Sequence, residues 1–422
     1  MAKLTQKISS LAKNKEAKTL VSNFTWLAIL KIIGYLVPLI TLPYLSRVIG
    51  VDGFGKIAFA AAIMVFIETF VDFGFNYTAT RDIARQRDNV EAVSSIFSNV
   101  MWAKILLMLV GFVILYVLIL AIPGLYEKRL LLLLTFLYIP GHIIFPDWFF
   151  QAMEKMKYIT IMNVLSKLLF TILIFIVIKQ KEDYVWQPLL NAIGYWVSGI
   201  CAMWLIVKKF NIKIMLPSFR SIWKTIKSSW NMFLSLLFPN LYTNFSTILL
   251  RSTCGEVATG LYSAGQKFIT IIDQLFQVLS RTFFPFLARR LDKHSIYVKI
   301  SGTLSIIASI TLFIFSDFLV DIFFTPEFKD ASYVIKIMAI APFSLFLMNT
   351  YGVNYLVLVG KDKQYRNIII GFSILGFILT WILTINYSYI GTAITISGIW
   401  LLRGLTTFAY AKRHMCTNKC RT

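Results

Sequence analysis

Charged and polar side chains lie inside long apolar stretches of this sequence, and they do so at regular spacing. Residues 35–88 hold Pro38, Pro43 and Arg47 in one apolar stretch and Glu68 and Asp72 in the next, joined by a Gly-rich turn. An ionised side chain at the centre of a bilayer costs roughly 2.5–3.5 kcal/mol on insertion scales, so such groups should face protein, water or ligand. Further along, Asn240, Asn244, Thr247 and Arg251 share one apolar stretch, and Gln266, Thr270, Asp273, Gln274, Gln277 and Arg281 recur at three- and four-residue steps in the next. At that spacing they form one polar stripe on an apolar helix, with Lys267 beside it. Lys31, Asn163 and Lys167 add further buried cationic and amide groups.

For Asn and Thr, hydrogen bonds between helices account for the placement. For Lys31, Arg47, Lys167, Arg251, Lys267 and Arg281 a polar cavity is the better account, and more cations than anions suit an anionic substrate. Phosphate fits, because paired Arg donors match its oxygens. Glu68, Asp72 and Asp273 then have two open roles. They neutralise the cations when the cavity is empty, with Asp72 as a buried partner for Arg47, or they bind a coupling H⁺ or Na⁺.

The elements that position these groups are membrane helices. The chain of 422 residues is 58% hydrophobic, with mean hydropathy +0.72, far from a soluble domain. Apolar spans fall near 23–49, 56–80, 93–121, 130–153, 158–178, 187–207, 228–252, 257–286, 297–322, 331–359, 366–386 and 388–410. At about 20 residues per pass this predicts an all-α polytopic fold of about 12 transmembrane helices. Net charge +22 does not mark a nucleic-acid binder, because Lys and Arg collect in alternate loops rather than on one face. Counted by loop, about 27 basic residues lie on one side and about six on the other, which places both termini in the cytoplasm.

An internal repeat divides the chain. A shift of 204 residues sets Arg251 on Arg47 and Glu256 on Asp52, and GEVATGLYSAG (255–265) resembles GVDGFGKIAFA (50–60). A repeat of six helices predicts two lobes, 1–207 and 228–410, related by a pseudo-two-fold axis along the membrane normal. The basic stretch 208–227 is then the cytoplasmic linker, and 411–422 a cytoplasmic tail. Pro38, Pro43, Pro239 and Pro285 are candidate hinges. The Lys-rich start, with Leu4, Ile8 and Leu11 at helical spacing, suits a short surface helix, and no cleavable signal is read there.

Covalent chemistry has no motif. There is no G-x-x-x-x-G-K-[ST] stretch and no G-x-S-x-G, and His142, His294 and His414 are too far apart in sequence to suggest a cluster. Asp147 in FPDWFFQ (145–151) is the best lone acid, and its aromatic neighbours suggest an interfacial anchor. Cys416 and Cys420 with His414 make a weak metal pattern in a basic tail. The reading is therefore not an enzyme, with no cofactor and no metal.

The stretches NFTWLAILKIIGYLVPLITLPYLSRVIGVDGFGKIAFA (23–60), VDFGFNYTATRDIAR (71–85) and FPDWFFQAMEKMKYIT (145–160), with GLYSAGQKF (260–268), resemble the polysaccharide-export family of the MOP superfamily. Within it they look closest to Wzx-type O-antigen flippases. The resemblance implies a twelve-helix, two-lobed flippase of the bacterial inner membrane. It would move an undecaprenyl-pyrophosphate-linked oligosaccharide from the cytoplasmic to the periplasmic leaflet by alternating access, coupled to H⁺ or Na⁺ and without ATP. Its implied protein partners are an O-antigen polymerase and a chain-length regulator. The family's functional cavity charges map onto Arg47 and Asp72. Two other readings stand beside it. A related antiporter for small organic cations would need a mainly acidic cavity, and an O-antigen polymerase a long outer loop that no predicted segment supplies.

Overall fold

The computed structural model describes the backbone of residues 15–289 and 291–419. It describes the side chains of 40–416 apart from 278, 281, 282, 285, 286, 288–290 and 362. Lys31, Arg281, Pro38, Pro285, Cys420 and the Lys-rich start therefore lie outside the described side chains. Among the described residues every regular element is a helix.

In chain order the helices are α1 (Lys15–Asp72), α2 (Phe75–Arg85), α3 (Val90–Ala121), α4 (Pro123–Tyr126), α5 (Arg129–Phe136), α6 (Tyr138–Ile143) and α7 (Asp147–Ala152). They continue as α8 (Met156–Val177), α9 (Gln187–Lys209), α10 (Phe219–Thr243), α11 (Phe245–Arg289), α12 (His294–Ile314) and α13 (Ser316–Phe323). The last are α14 (Ala331–Met338), α15 (Ala341–Leu347), a π-helical turn at Met348–Val357, and α16 (Asp362–Lys419). Nine stretches among the described residues are long and apolar enough to cross a membrane.

Three of the nine are longer than one crossing. The 58 residues of α1 would extend about 87 Å as a straight rod, against a hydrocarbon core of about 30 Å. Each of these long stretches has an interior break with non-helical backbone: at Gly50 (φ 64°, ψ −178°), at Gly255 (φ 85°, ψ −176°) and at Ser388 (φ 52°, ψ −136°). Divided there, the nine stretches become the twelve passes expected from hydropathy. The first two breaks use glycine because its missing Cβ permits positive φ with extended ψ.

Gly50 and Gly255 have nearly the same unusual backbone geometry, and they stand 205 residues apart, one more than the shift that matched Arg251 to Arg47. That single residue matters. On a helix it turns a side chain by about 100°, so Arg251 corresponds to buried Ser46 and Arg47 to exposed Ser252. The two arginines are not repeat equivalents.

Contacts divide the chain into two compact units. One gathers residues up to Thr41, Ile67–Lys179 and Val185–Leu234; the other gathers Leu42–Phe66, Gln180–Tyr184 and Ser235–Thr422. In the first unit the core includes Trp148, Phe149 and Phe150, all essentially buried. Phe97 meets both Trp148 and Phe149, with ring centroids 5.6 and 5.5 Å away. The aromatic run of FPDWFFQ is thus packing core rather than an interfacial belt. The stretch 208–227 comprises the end of α9, an extended run over 211–218 and the first two turns of α10.

Candidate functional site

The helix carrying Glu68 and Asp72 ends where the chain turns through Phe73 (φ 45°) and Gly74 (φ 80°), and α2 resumes with Asn76. A Cβ on Gly74 would lie 2.7 Å from Met232 Cβ, so glycine is required by packing as well as by φ. Phe73 closes the break by stacking on Phe233 at 4.3 Å. The break leaves Asn76 within reach of Asp72, its Nδ2 donating to Oδ2 at 3.1 Å.

Three groups outside the sequence candidates complete this cluster. Lys104 of α3, 1% exposed, donates from Nζ to Asp72 Oδ1 at 2.8 Å and to Asn76 Oδ1 at 3.2 Å. His142 of α6 places Nε2 3.3 Å from both Asp72 oxygens and 3.7 Å from Glu68 Oε1. Tyr138, one helical turn before, donates to Glu68 Oε1 at 3.2 Å and lies 3.4 Å from His142 Nδ1. The fourth pass can deliver both because it is broken into α5, α6 and α7. Pro140 and Pro146 lack the N–H that a continuous helix would need there.

The cluster is an interior ion pair with a second carboxylate beside it. Lys104 neutralises Asp72, while Glu68 has only a tyrosine hydroxyl and a more distant imidazole. Glu68, Asp72 and His142 each offer a ligand atom within 4.8 Å of the others, and all three keep partial solvent access. Two carboxylates, an imidazole and an ammonium can hold or release one proton, or admit one small cation, with little movement. Asp72 is thus the partner of Lys104 and His142, and its expected pairing with Arg47 is replaced.

In the second unit the charges are arranged differently. Arg251 donates from Nη2 to Glu256 Oε1 at 2.9 Å and lies over the Phe59 ring at 4.8 Å. Its Nε is buried without a partner. Lys56 pairs with Asp52 at 2.6 Å and lies over the Tyr184 ring at 4.8 Å. Gln277 donates to Asp273 at 2.9 Å. Arg47 is exposed, and Lys167 is half-buried.

Lys267 is exposed although it lies on a helix whose next two residues, Phe268 and Ile269, are buried. Among the described residues it makes no hydrogen bond or ion pair. Arg403 of α16 is a second cation without a carboxylate partner among the described residues. It stands in the middle of a stripe of fully buried residues, Ile396, Ile399, Thr407 and Ala411, and the side chains of Tyr365 and Tyr242 interact electrostatically with its guanidinium. Tyr365 in turn donates to the Met348 carbonyl at 3.4 Å, which leaves its lone pairs for the arginine. Yet Arg403 keeps partial solvent access, and its Nε is an unpaired donor.

Lys104 and Arg403 each sit in an apolar span, so the rule that flagged Arg47 and Arg251 also reaches them. His142 carries no such signal, because its role depends on the broken fourth pass.

The chain matches the family described as polysaccharide biosynthesis protein over residues 20–291. A protein of Escherichia coli (strain K12) described as "Putative O-antigen transporter" is 30% identical over 392 residues, 91% of this chain and 94% of that one. A Shigella dysenteriae protein with the same description is 26% identical over 86% of this chain and 92% of its own length. Among solved structures, the lipid II flippase MurJ in an inward closed conformation has a TM-score of 0.74 at 14% identity, covering 93% of this chain and 87% of its own. An inward-facing multidrug resistance MATE transporter of the MOP superfamily has a TM-score of 0.65 at 15% identity, covering 92% and 99%. At such identities the last two establish a shared fold, the helical architecture of MOP transporters.

Proposed function

Because the chain belongs to the polysaccharide biosynthesis protein family and has the fold of MOP transporters, we propose that it is a flippase for a lipid-linked oligosaccharide. Its cargo would be an O-antigen repeat unit on undecaprenyl pyrophosphate, carried from the cytoplasmic to the periplasmic leaflet of the inner membrane. The full-length likeness to described O-antigen transporters carries this reading. Lys267 and Arg403 sharpen it, since two span cations without carboxylate partners suit an anionic cargo better than an organic cation.

In this reading two lobes, 1–207 and 228–410, alternate access about the cargo, with both termini in the cytoplasm. Arg403 and Lys267 hold phosphate oxygens while the sugars occupy the polar face of α11. Arg47, Lys31, Lys167 and Arg281 contribute positive potential, and Arg251 stays bound to Glu256. No bond is made or broken in the cargo. The Glu68–Asp72–His142–Lys104 cluster takes up and releases the coupling H⁺ or Na⁺, and Asp273, held by Gln277, is a second acid for that role. The cluster's mixed charge supports a coupling site rather than a cargo site, because it is already nearly neutral.

Deleting the protein in its host and finding on which leaflet the lipid-linked unit accumulates tests the reading. Complete units held on the cytoplasmic leaflet are expected. Translocated but unpolymerised units would instead assign a polymerase, and normal export together with lost drug resistance would assign an antiporter for small organic ions.

A further inference from the structure

The segment between α9 and α10 has a property that cargo transport does not require. From residue 184 to residue 255 there is no Asp or Glu, while Lys208, Lys209, Lys213, Arg220, Lys224 and Lys227 fall within twenty residues. Five of the six are free of aromatic or acidic contacts among the described residues; Lys209 lies over the Tyr158 ring at 5.1 Å. All six are exposed. Large apolar side chains are exposed among them: Leu216 is 84% exposed, Phe219 70%, Trp223 59% and Trp230 51%.

Helical geometry sorts these into one face. Phe219, Trp223, Lys227 and Trp230 are spaced four, four and three apart, so they project from one side of α10, with Arg220 and Lys224 at its edges. The adjoining side carries Ile226, Ser229 and Phe233, which are buried. Ser229 is fixed to Thr78 by a hydroxyl contact of 2.7 Å. The exposed face is therefore held outward by its own packing.

The extended run before it is also fixed. The Lys213 N–H donates to Ser94 Oγ at 3.1 Å, and Ser98 Oγ donates to the Lys213 carbonyl at 3.3 Å. The Met215 N–H donates to Ser98 Oγ at 2.9 Å, and Trp102 Nε1 donates to the Met215 carbonyl at 3.1 Å. Ser94, Ser98 and Trp102 are successive turns of α3. They seat the run along that helix and leave Ile214, Met215 and Leu216 exposed.

We propose that residues 213–230 form a docking surface for anionic phospholipid of the cytoplasmic leaflet, in which Arg220, Lys224 and Lys227 hold headgroup phosphates while Phe219, Trp223 and Trp230 enter the acyl boundary. Charge complementarity selects this occupant: a run of cations without one acid meets a negative surface, and aromatic rings settle at headgroup depth. Each cation near such a surface strengthens attachment of the segment to it about fivefold. The lipid site stands on its own geometry and does not depend on which cargo is carried.

The test uses the full chain in nanodiscs of phosphatidylcholine containing a minor fraction of brominated lipid, with tryptophan quenching as the readout. Brominated phosphatidylglycerol should quench severalfold more than brominated phosphatidylcholine at the same fraction. High salt should abolish the excess in the unmodified protein, which needs no variant to fold. The combined variant K213Q, R220Q, K224Q and K227Q should also abolish it, and Trp223→Phe should remove a large part of it. Equal quenching by the two lipids would overturn the proposal. So would an excess that survives both salt and the Gln variant. An unchanged lipid response in a Gln variant that no longer retains an acidic membrane protein would assign the surface to a protein partner instead.

Discussion

Gly55 and Gly260 lie against each other's hairpins in a reciprocal way. A Cβ on Gly55 would stand 1.8 Å from the Glu256 carbonyl oxygen, and one on Gly260 would stand 2.1 Å from the Val51 carbonyl oxygen. Each glycine thus faces the residue that follows the other's break, Gly255 or Gly50. Two equivalent elements crossing about a local two-fold produce this relation, and backbone-to-backbone approach leaves no room for a side chain.

Substitution should therefore separate steric from conformational cost. Gly255→Ala meets nothing within 4 Å, so it bears only the strain of its backbone angles, about 1–3 kcal/mol. Gly55→Ala and Gly260→Ala must move backbone atoms and should lower the unfolding temperature in detergent further than Gly255→Ala does. A Gly55→Ala protein as stable as Gly255→Ala would mean that the two helices do not approach so closely.

The Lys104–Asp72 pair predicts a rescue. Lys104→Ala leaves a carboxylate in the interior without its ammonium and should destabilise by about 3–5 kcal/mol. Asp72→Asn added to it should recover much of the loss, measured as membrane abundance and thermal stability. If Asp72 serves the coupling ion, export should not return with stability. Recovery of both would make the pair purely structural.

Much of this was readable in advance. Twelve passes follow from hydrophobic length, and the likeness of 50–60 to 255–265 follows from glycine spacing. The repeat was set one residue out because Arg47 and Arg251 were matched by charge, whereas the backbone constraint sits in Gly50 and Gly255. Glu68 and Asp72 were legible because carboxylates in an apolar span need a reason. The coordination of His142 was not, since it arises where Pro140 and Pro146 break the fourth pass. Trp148 and its neighbours show a further limit: an aromatic run reads alike whether it faces lipid or core.

A surface pair offers a contrast in magnitude. Asp317, outside the membrane spans, accepts from Lys336 at 2.9 and 2.7 Å, and that hydrogen bond holds its carboxyl below the ordinary carboxylate value of 3.8. A depressed carboxylate stabilises the fold above its unfolded pKa and loses that contribution as pH falls through its folded one. With Asp317 62% exposed, solvent screening keeps the gain within about 1 kcal/mol. Lys336→Gln should therefore barely move the unfolding temperature at neutral pH, and the small difference should vanish in acid.

If Arg403 binds cargo, that role can be separated from its packing. Arg403→Lys keeps a charge but loses the paired donors of the guanidinium, so it should retain part of export; Arg403→Gln should lose export at least tenfold while abundance holds. Affinity for undecaprenyl phosphate, measured on the purified protein, should fall in the same order. Unchanged affinity with reduced abundance would leave Arg403 as a tie between Tyr242 and Tyr365.

Arg47 and Arg251, once expected to act alike, should behave differently. Arg251 is committed to Glu256 at 2.9 Å and to the Phe59 ring, so Arg251→Ala removes the ion-pair partner of a carboxylate that is largely removed from water. Breaking such a pair costs several kcal/mol, and the variant should lose abundance, with Glu256→Gln restoring it. Arg47 is exposed and should tolerate Ala with normal abundance. If Arg47 lends its charge to the cargo, export by Arg47→Ala falls while the protein remains in place, and raising the salt concentration lowers wild-type export towards the same level. Loss of abundance in Arg47→Ala to the degree seen in Arg251→Ala would mean that both arginines are structural, and the cargo phosphate would then have to rest on Lys267 and Arg403 alone.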